Sequence, residues 1–297
     1  MIRRFYLLII IPLLLTSCLT IKTKKNVAVD YFNIGNSYFE LKNYSKAIEN
    51  YEKSMNYDPK SEETIFNLIL SYHLNKNYDK TEKMIKKYDK KVNSDYTKKL
   101  LMLLGNNYYL QGKFDYAIKI FSEYMTIYPE DANCYFNLGL TYLKLANEKM
   151  AFSYFMDAYR RDNKHIPAIY NIADYYFKNQ DYQNSHNYFL MILDLDKSNP
   201  DIYYRLGEIE YLMNEYDMSK NNLLKAVELS PKNPDYYILL AKVYANGYKD
   251  KNKTLEYLEK SFINGFKNLD LLQQTSEFKL LFELEEFKKL LVKYNVR

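Results

Sequence analysis

Residues 132–165 read ANCYFNLGLTYLKLANEKMAFSYFMDAYRRDNKH, and the rest of the chain can be read outward from them. Tyr135, Leu138, Gly139 and Tyr142 fall on one side of a helix, at spacings of three and four residues. After a polar turn, Ala151, Phe155 and Ala158 repeat the arrangement on a second helix. Gly139 stands where a side chain would collide with a neighbouring helix, while the flanking Tyr and Leu fill the gap beside it. The pattern thus describes contacts between helices.

The small residue returns every 34 positions as Gly105, Gly139, Ala173, Gly207 and Ala241, with Gly35 in phase after a two-residue insertion. That period belongs to stacked helix pairs. Seven units follow: 28–61, 62–97, 98–131, 132–165, 166–199, 200–233 and 234–267. A first-helix aromatic recurs as Tyr38, Tyr72, Tyr108, Tyr142, Tyr176 and Tyr244. A second-helix apolar residue recurs as Tyr51, Ile85, Phe121, Phe155, Phe189, Leu223 and Leu258. Pro59, Pro129 and Pro231 close three units, since a residue without an amide hydrogen ends one helix and presets the turn to the next.

The frame resembles the tetratricopeptide repeat. The resemblance implies an all-α fold, a right-handed solenoid of about seven helix-turn-helix repeats forming one array whose core is shared between neighbours. Three units depart from the frame. Repeat two has Ile69 at the small position and Thr81 at a second-helix Ala position, which should alter helix spacing or bend the stack. Repeat six has Glu210 in place of the aromatic, and repeat seven needs one extra residue near Tyr248 to Lys253. From 268 to 297 the frame stops. Phe278, Leu281, Leu284, Phe287, Leu290, Leu291 and Tyr294 then have the spacing of an amphipathic helix, expected to cap the last apolar face.

Ahead of the repeats, Arg3 and Arg4 precede the apolar run Phe5 to Leu15 and then Leu15-Thr16-Ser17-Cys18. Residues 1–17 read as a secretory signal, because the run is shorter than the roughly 20 residues a bilayer span requires. Its last four residues resemble the bacterial lipobox, which implies cleavage before Cys18 and a lipid on its thiol. The protein is then expected to be exported and tethered to a bacterial membrane through several acyl chains and a short linker, 18–27, that carries Lys22, Lys24 and Lys25. Leu19 is not the Asp that resembles an inner-membrane retention signal, which favours an outer membrane in a two-membrane cell and otherwise the outer face of the cell membrane.

Removing Arg3 and Arg4 with the signal lowers the net charge from +5 to +3, and the lysines alternate with carboxylates along the helices. Nucleic-acid binding calls for a basic stripe that this pattern lacks. With Cys18 lipidated, Cys134 has no partner for a disulfide and reads as a packing residue. His73, His165 and His186 fall in separate repeats without metal-ligand spacing, and neither a catalytic motif nor a cofactor motif is present. No cofactor, metal or enzymatic activity is expected.

What remains is recognition. In the resembled family the first helix of each repeat lines a concave groove through positions 2, 5, 9 and 12. Carried over, these positions give Phe32, Phe39, Phe66, Met102, Tyr109, Phe136, Tyr170, Asp174, Phe177, Tyr204, Glu208 and Tyr211 as partner-binding residues. Asp174, Glu208, Asp201 and Asp235 make the late part of the groove acidic, and the partner is expected to carry apolar anchors and a basic end. The expected function is an interaction scaffold or adaptor for proteins of the bacterial cell envelope. Recognition of cell-wall glycan by stacked tyrosines, or control of cell-wall hydrolases, is the alternative.

Overall fold

The computed structural model describes residues 24–88 and 94–296, so the signal, the lipobox and Cys18 lie outside the described residues. Among those described, the regular structure is entirely helical. Residues 24–40 form α1, followed by α2 (Tyr44–Tyr57), α3 (Glu62–Leu74), α4 (Tyr78–Tyr88), α5 (Ser94–Leu110), α6 (Phe114–Ile127) and α7 (Ala132–Lys144). Then come α8 (Glu148–Arg161), α9 (Ile166–Lys178), α10 (Tyr182–Leu195), α11 (Pro200–Leu212), α12 (Tyr216–Leu229), α13 (Pro234–Val243) and α14 (Lys251–Ile263). The tail forms α15 (Leu269–Gln274), a 3-10 turn (Ser276–Glu283) and α16 (Glu285–Lys293). The chain divides into two compact units, one ending at Asn147 and the other starting at Glu148, between the two helices of repeat four.

In the first unit α1 pairs with α2, α3 with α4 and α5 with α6. In the second, α9 pairs with α10, α11 with α12 and α13 with α14. The small frame position explains the pairing. A Cβ built on Gly35 would lie 2.6 Å from the Tyr51 ring, one on Gly105 2.3 Å from Phe121, and one on Gly207 2.7 Å from Leu223. In each case the obstacle is the recurring second-helix apolar residue of the same repeat. Ser185 and Ser219 tie the helices together further, donating to the carbonyls of Ala173 and Gly207 at 2.9 and 2.7 Å.

The turn within each repeat is equally periodic. Lys42, Lys76, Gly112, Ala146, Gln180 and Asn214, all at position 15, have left-handed backbones with φ between 56° and 72°. The next amide donates back to the carbonyl of position 11, as Asn43 does to Tyr38 and Asn77 to Tyr72, both at 2.9 Å. This is the helix-ending motif that consumes otherwise orphaned carbonyls. Repeat seven absorbs its extra residue here: a π-helical turn, Tyr244–Tyr248, moves the left-handed residue to Lys249, at φ 54°.

The other two departures also settle by packing. Ile69 and Thr81 are both fully buried, and the Thr81 hydroxyl donates to the Asn77 carbonyl at 3.0 Å within α4. Glu210 is 1% exposed; Asn222 Nδ2 donates to both of its oxygens at 2.8 Å, and His186 Nε2 lies 3.0 Å from Oε1. A hydrogen-bonded polar cluster thus replaces the ring found in other repeats, which is how a buried carboxylate is kept satisfied. Cys134 is buried with Sγ 3.2 Å from the Phe121 carbonyl, and burial pushes its thiol up to about 12.

The tail caps repeat seven, with Leu272, Phe278, Leu281 and Phe287 joining a core that includes Leu258, Phe262 and Phe266. It is not one amphipathic helix. Thr275 and Leu284 are extended and break it into three pieces. The tighter 3-10 turn buries Phe278 and Leu281, three residues apart, and leaves Leu280 76% exposed.

Candidate functional site

The inner-face positions of the first unit come from α1, α3, α5 and α7, where Phe32, Phe39, Phe66, Met102, Tyr109 and Phe136 are all half-buried. Their rings are held from behind. At position 12, Phe39 packs on Tyr44, His73 on Tyr78 and Tyr109 on Phe114, with centroids 5.6 to 5.9 Å apart and the partner always five residues on, across the turn. At position 5, Phe32 packs on Tyr51 at 5.9 Å and Phe66 on Tyr96 at 5.5 Å. Rings fixed in this way lose little freedom when a partner covers their open side.

Between the aromatic rows run polar rungs that add position 6 to the family's positions 2, 5, 9 and 12. Asn67 Nδ2 donates to Asn36 Oδ1 at 3.2 Å, and Asn137 Nδ2 donates to Asn106 Oδ1 at 3.1 Å. Each pair joins position 9 of one repeat to position 6 of the next, 31 residues apart. Asn36 Oδ1 also accepts from Tyr51 at 2.7 Å and Asn137 Nδ2 also donates to Met102 Sδ at 3.3 Å, so the capacity left in each pair is the NH₂ group of the position 9 residue and the carbonyl of the position 6 residue. The sequence signal would have been this 31-residue spacing of asparagines.

The Asn106–Asn137 rung lies between two cavities. One, of about 560 Å³, is lined by Lys98 and Lys99 together with Asp95 and Asp131, and by Met102, Phe136 and the two asparagines. The other, of about 230 Å³, is lined by His73, Tyr109, Leu140 and the same two asparagines. Burial pushes the His73 imidazole below its ordinary pKa against a hydrogen bond with Asn107, which favours the neutral ring. Lys98 is paired with Asp131 at 3.2 Å. Burial raises the Asp131 carboxyl, but hydrogen bonds from Tyr124, Lys98 and Asn133 outweigh it and hold its pKa below the ordinary value. Lys99 has no ion pair among the described residues; its ammonium lies 5.3 Å from the Tyr96 ring centre and 5.6 Å from that of Phe66. Among the described residues, the lining of these cavities presents apolar rings, amide edges and, in Lys99, a cation without an ion pair.

In the second unit Tyr170, Asp174, Phe177, Tyr204 and Glu208 are half-buried, as a groove would require, but the acidic character expected there is reduced, because two of its four carboxylates are paired with cations. Arg205, at position 6, pairs with Asp174 at 2.7 Å and with Glu208 at 2.7 Å. Its guanidinium lies 4.8 Å from the Phe177 ring centre, and Lys178 adds a second cation 2.8 Å from Asp174. Burial works against the Arg205 charge, yet Glu208 and Asp174 outweigh it and hold its pKa above the ordinary value. Carboxylates and cations at these distances neutralise one another, so a basic partner end has less to meet at Asp174 and Glu208. Asp201 accepts a hydrogen bond from Tyr236 at 2.6 Å, which satisfies the carboxylate without neutralising it, and Asp235 is exposed.

Tyr211 also departs from expectation. It is buried, packs on Tyr216 at 5.9 Å and donates its hydroxyl to Glu277 of the tail, which Lys242 approaches to 3.4 Å. The cap thus occupies the inner-face positions where repeats six and seven would meet a partner. Tyr170 and Tyr204 pack on Phe189 and Tyr236 at 5.4 and 5.2 Å. Among the described residues no cluster of His, Cys, Asp and Glu could hold a metal ion, and no helix is long and apolar enough to cross a membrane.

Comparison with known proteins bears on this architecture. Family models described as tetratricopeptide repeat match residues 28–61, 99–131, 132–165 and 200–233. The chain is similar to the C-terminal part of a TPR repeat-containing protein from Cytophaga hutchinsonii, at 19% identity and a TM-score of 0.60 over 78% of this chain and 93% of the other. It is also similar to PilF of Pseudomonas aeruginosa, at 19% identity and 0.53 over 72% and 96%, and to a protein named MamA, at 21% and 0.52 over 57% and 91%. At these identities the likeness concerns the fold. No curated protein matches the chain.

Proposed function

The chain belongs to the tetratricopeptide repeat family of protein-interaction scaffolds, and from that premise we propose that it is a lipid-anchored adaptor that holds an extended segment of an envelope protein against its first unit. The observation that carries this reading is the Asn106–Asn137 rung, set between the half-buried Met102, Phe136 and Tyr109. An extended chain presents its own N–H and C=O groups between alternating side chains. The rung offers one acceptor and one donor to such a backbone, and the rings and Met102 take its apolar side chains. Lys99 suits an acidic side chain on the partner, in place of the basic end that an acidic groove would have selected.

Export rests on the sequence alone: Arg3, Arg4, the apolar run and Leu15-Thr16-Ser17-Cys18. Lipid on Cys18 would hold the repeats at a membrane surface, the outer membrane where a cell has two. Cys18→Ser should abolish incorporation of labelled palmitate and release the protein from the membrane fraction. Undiminished labelling of that variant would defeat the anchor.

The groove is tested separately, by placing a photo-crosslinking amino acid at Met102 in cells, with the exposed Lys119 as control. A discrete protein captured from Met102 alone, and lost at least five-fold in an Asn106→Ala, Asn137→Ala background, is the expected result. Identical adducts from both positions would overturn it.

A further inference from the structure

The frame residue at position 7 is Leu68, Leu104, Leu138, Leu206 or Leu240 in five repeats and Ile172 in a sixth, each buried against neighbouring helices. In repeat one the same position is Ile34, which is 44% exposed. Seven residues on, Leu41 is 76% exposed. Tyr31 and Tyr38 flank the stripe at spacings of three and four; both are half-buried, Tyr31 stacking on Tyr57 of α2 at 6.0 Å, whereas Ile34 and Leu41 beside them stay exposed.

Basic side chains border this edge of α1. Lys46 and Lys53 reach from α2 over the rings of Tyr38 and Tyr31, with ammonium groups 5.1 and 5.7 Å from the ring centres; Lys53 is also paired with Glu49 at 2.6 Å, whereas Lys46 has no ion pair among the described residues. Tyrosines with aliphatic neighbours and lysines reaching outward over them are the composition of a helix edge that lies in a lipid interface. Asp30 and Glu40 are exposed on the adjoining flank, so the helix would meet lipid on its lysine side.

The remaining observation is distance. Only five residues separate Cys18 from Lys24, where α1 starts, so the chain between them spans at most about 21 Å. The helix itself is about 25 Å long. A lipid on Cys18 therefore keeps the α1 edge within reach of the bilayer surface at high effective concentration. We infer that the Tyr31–Ile34–Tyr38–Leu41 edge of α1 docks on the anionic surface of the membrane that holds the anchor, fixing the orientation of repeat one on it. This rests on the lipoprotein reading.

The test uses full-length acylated protein in vesicles of phosphatidylethanolamine and phosphatidylglycerol containing a nitroxide-labelled lipid. A fluorophore is attached through Leu41→Cys, or through Lys119→Cys as control; Cys134, fully buried, is shielded from the label. Quenching by nitroxide lipid at least three-fold stronger at 41 than at 119 is expected, together with loss of that difference on adding Ile34→Glu. Equal quenching at both positions, in protein that floats with the vesicles, would overturn the docking while leaving the anchor intact. Concentration-dependent shielding at 41 without vesicles would assign the edge to a second copy and overturn it too. If wild type and Cys18→Ser fail alike to float, the anchor reading falls and takes the docking with it.

Discussion

At the C-terminal end of the repeats Phe262 of α14 is buried against Phe266, Phe287 and Tyr294, whereas at the N-terminal end Ile34 of α1 is 44% exposed. Both residues lie on faces that an interior repeat would cover with a neighbour. A stack of helix pairs always leaves two such faces, because each pair has an apolar side it cannot bury alone. Here the tail covers one of them, and Lys267, Lys251 and Lys293 secure it through contacts with the Tyr294 carbonyl, Glu286 and Glu259. The other combines aliphatic side chains with tyrosines and lysines, a chemistry compatible with both water and lipid. The same apolar surplus has thus been met by a covalent cap at one end and by amphipathic composition at the other.

The largest effect should come from breaking the cap. Phe278 is fully buried, and Phe278→Ala should lower unfolding free energy by about 3–5 kcal/mol. Leu280→Ala, two residues away and exposed, should change it by less than about 0.5 kcal/mol. Denaturant titration measures both, and equal losses would mean that the tail packs through a different face.

Frame position 7 sharpens the contrast between interior and end. Leu206→Ala should cost about 2–5 kcal/mol, because Leu206 is completely enclosed. Ile34→Ala should cost about 1 kcal/mol or less in the absence of lipid, since much of its surface is already in water. A loss at Ile34 matching that at Leu206 would show that α1 is covered in solution and would erase the difference between the ends.

Acid should loosen the capped end selectively. Burial alone would raise the Glu277 carboxyl, but hydrogen bonds from Tyr211 and Ser276 and the charge on Lys242 outweigh it, so its pKa lies below the ordinary 4.5. A carboxylate lowered in the folded state adds stability above its unfolded pKa and loses that stability as pH falls through the folded value. Hydrogen-exchange protection of residues 276–283, corrected for intrinsic rates, should therefore decline as pH drops below 4.5. In Glu277→Gln it should start lower and stay flat, and a wild-type profile in that variant would remove Glu277 from the account.

The smallest effect concerns neither end and sets the background for both. Lys76 is left-handed at φ 60°, a conformation that costs a residue with a Cβ roughly 1 kcal/mol. Lys76→Gly should recover about that much, observed as a higher melting temperature. A destabilised variant would indicate that the Lys76 side chain contributes more than its backbone costs.

The repeat frame was legible because its causes are local. Gly105 must be small since Phe121, 16 residues on in the same hairpin, occupies the space, and the sequence shows both. Turns at position 15 follow from the same short range. Inner-face chemistry was only partly legible. Asp174 and Glu208 read as an acidic patch because their neutralising partner, Arg205, sits at a position outside the family's groove set, and the Asp174 contact spans 31 residues. Tyr211 read as a partner residue because nothing near it in sequence announces Glu277, 66 residues away. In the tail the apolar spacing marked a cap correctly, yet the breaks at Thr275 and Leu284 were hidden, since neither residue is a Pro or Gly.

By itself, then, the sequence determined the helical class and the phase of the helix pairs within each unit, because a 34-residue period of small and large side chains admits one way of packing such a hairpin. Only the tertiary structure decided which inner-face charges are paired, which asparagines pair into rungs and which end positions, among the described residues, stay exposed. Those outcomes depend on side chains from different repeats meeting within hydrogen-bond distance, and a periodic pattern fixes the repeat of such meetings without fixing their partners.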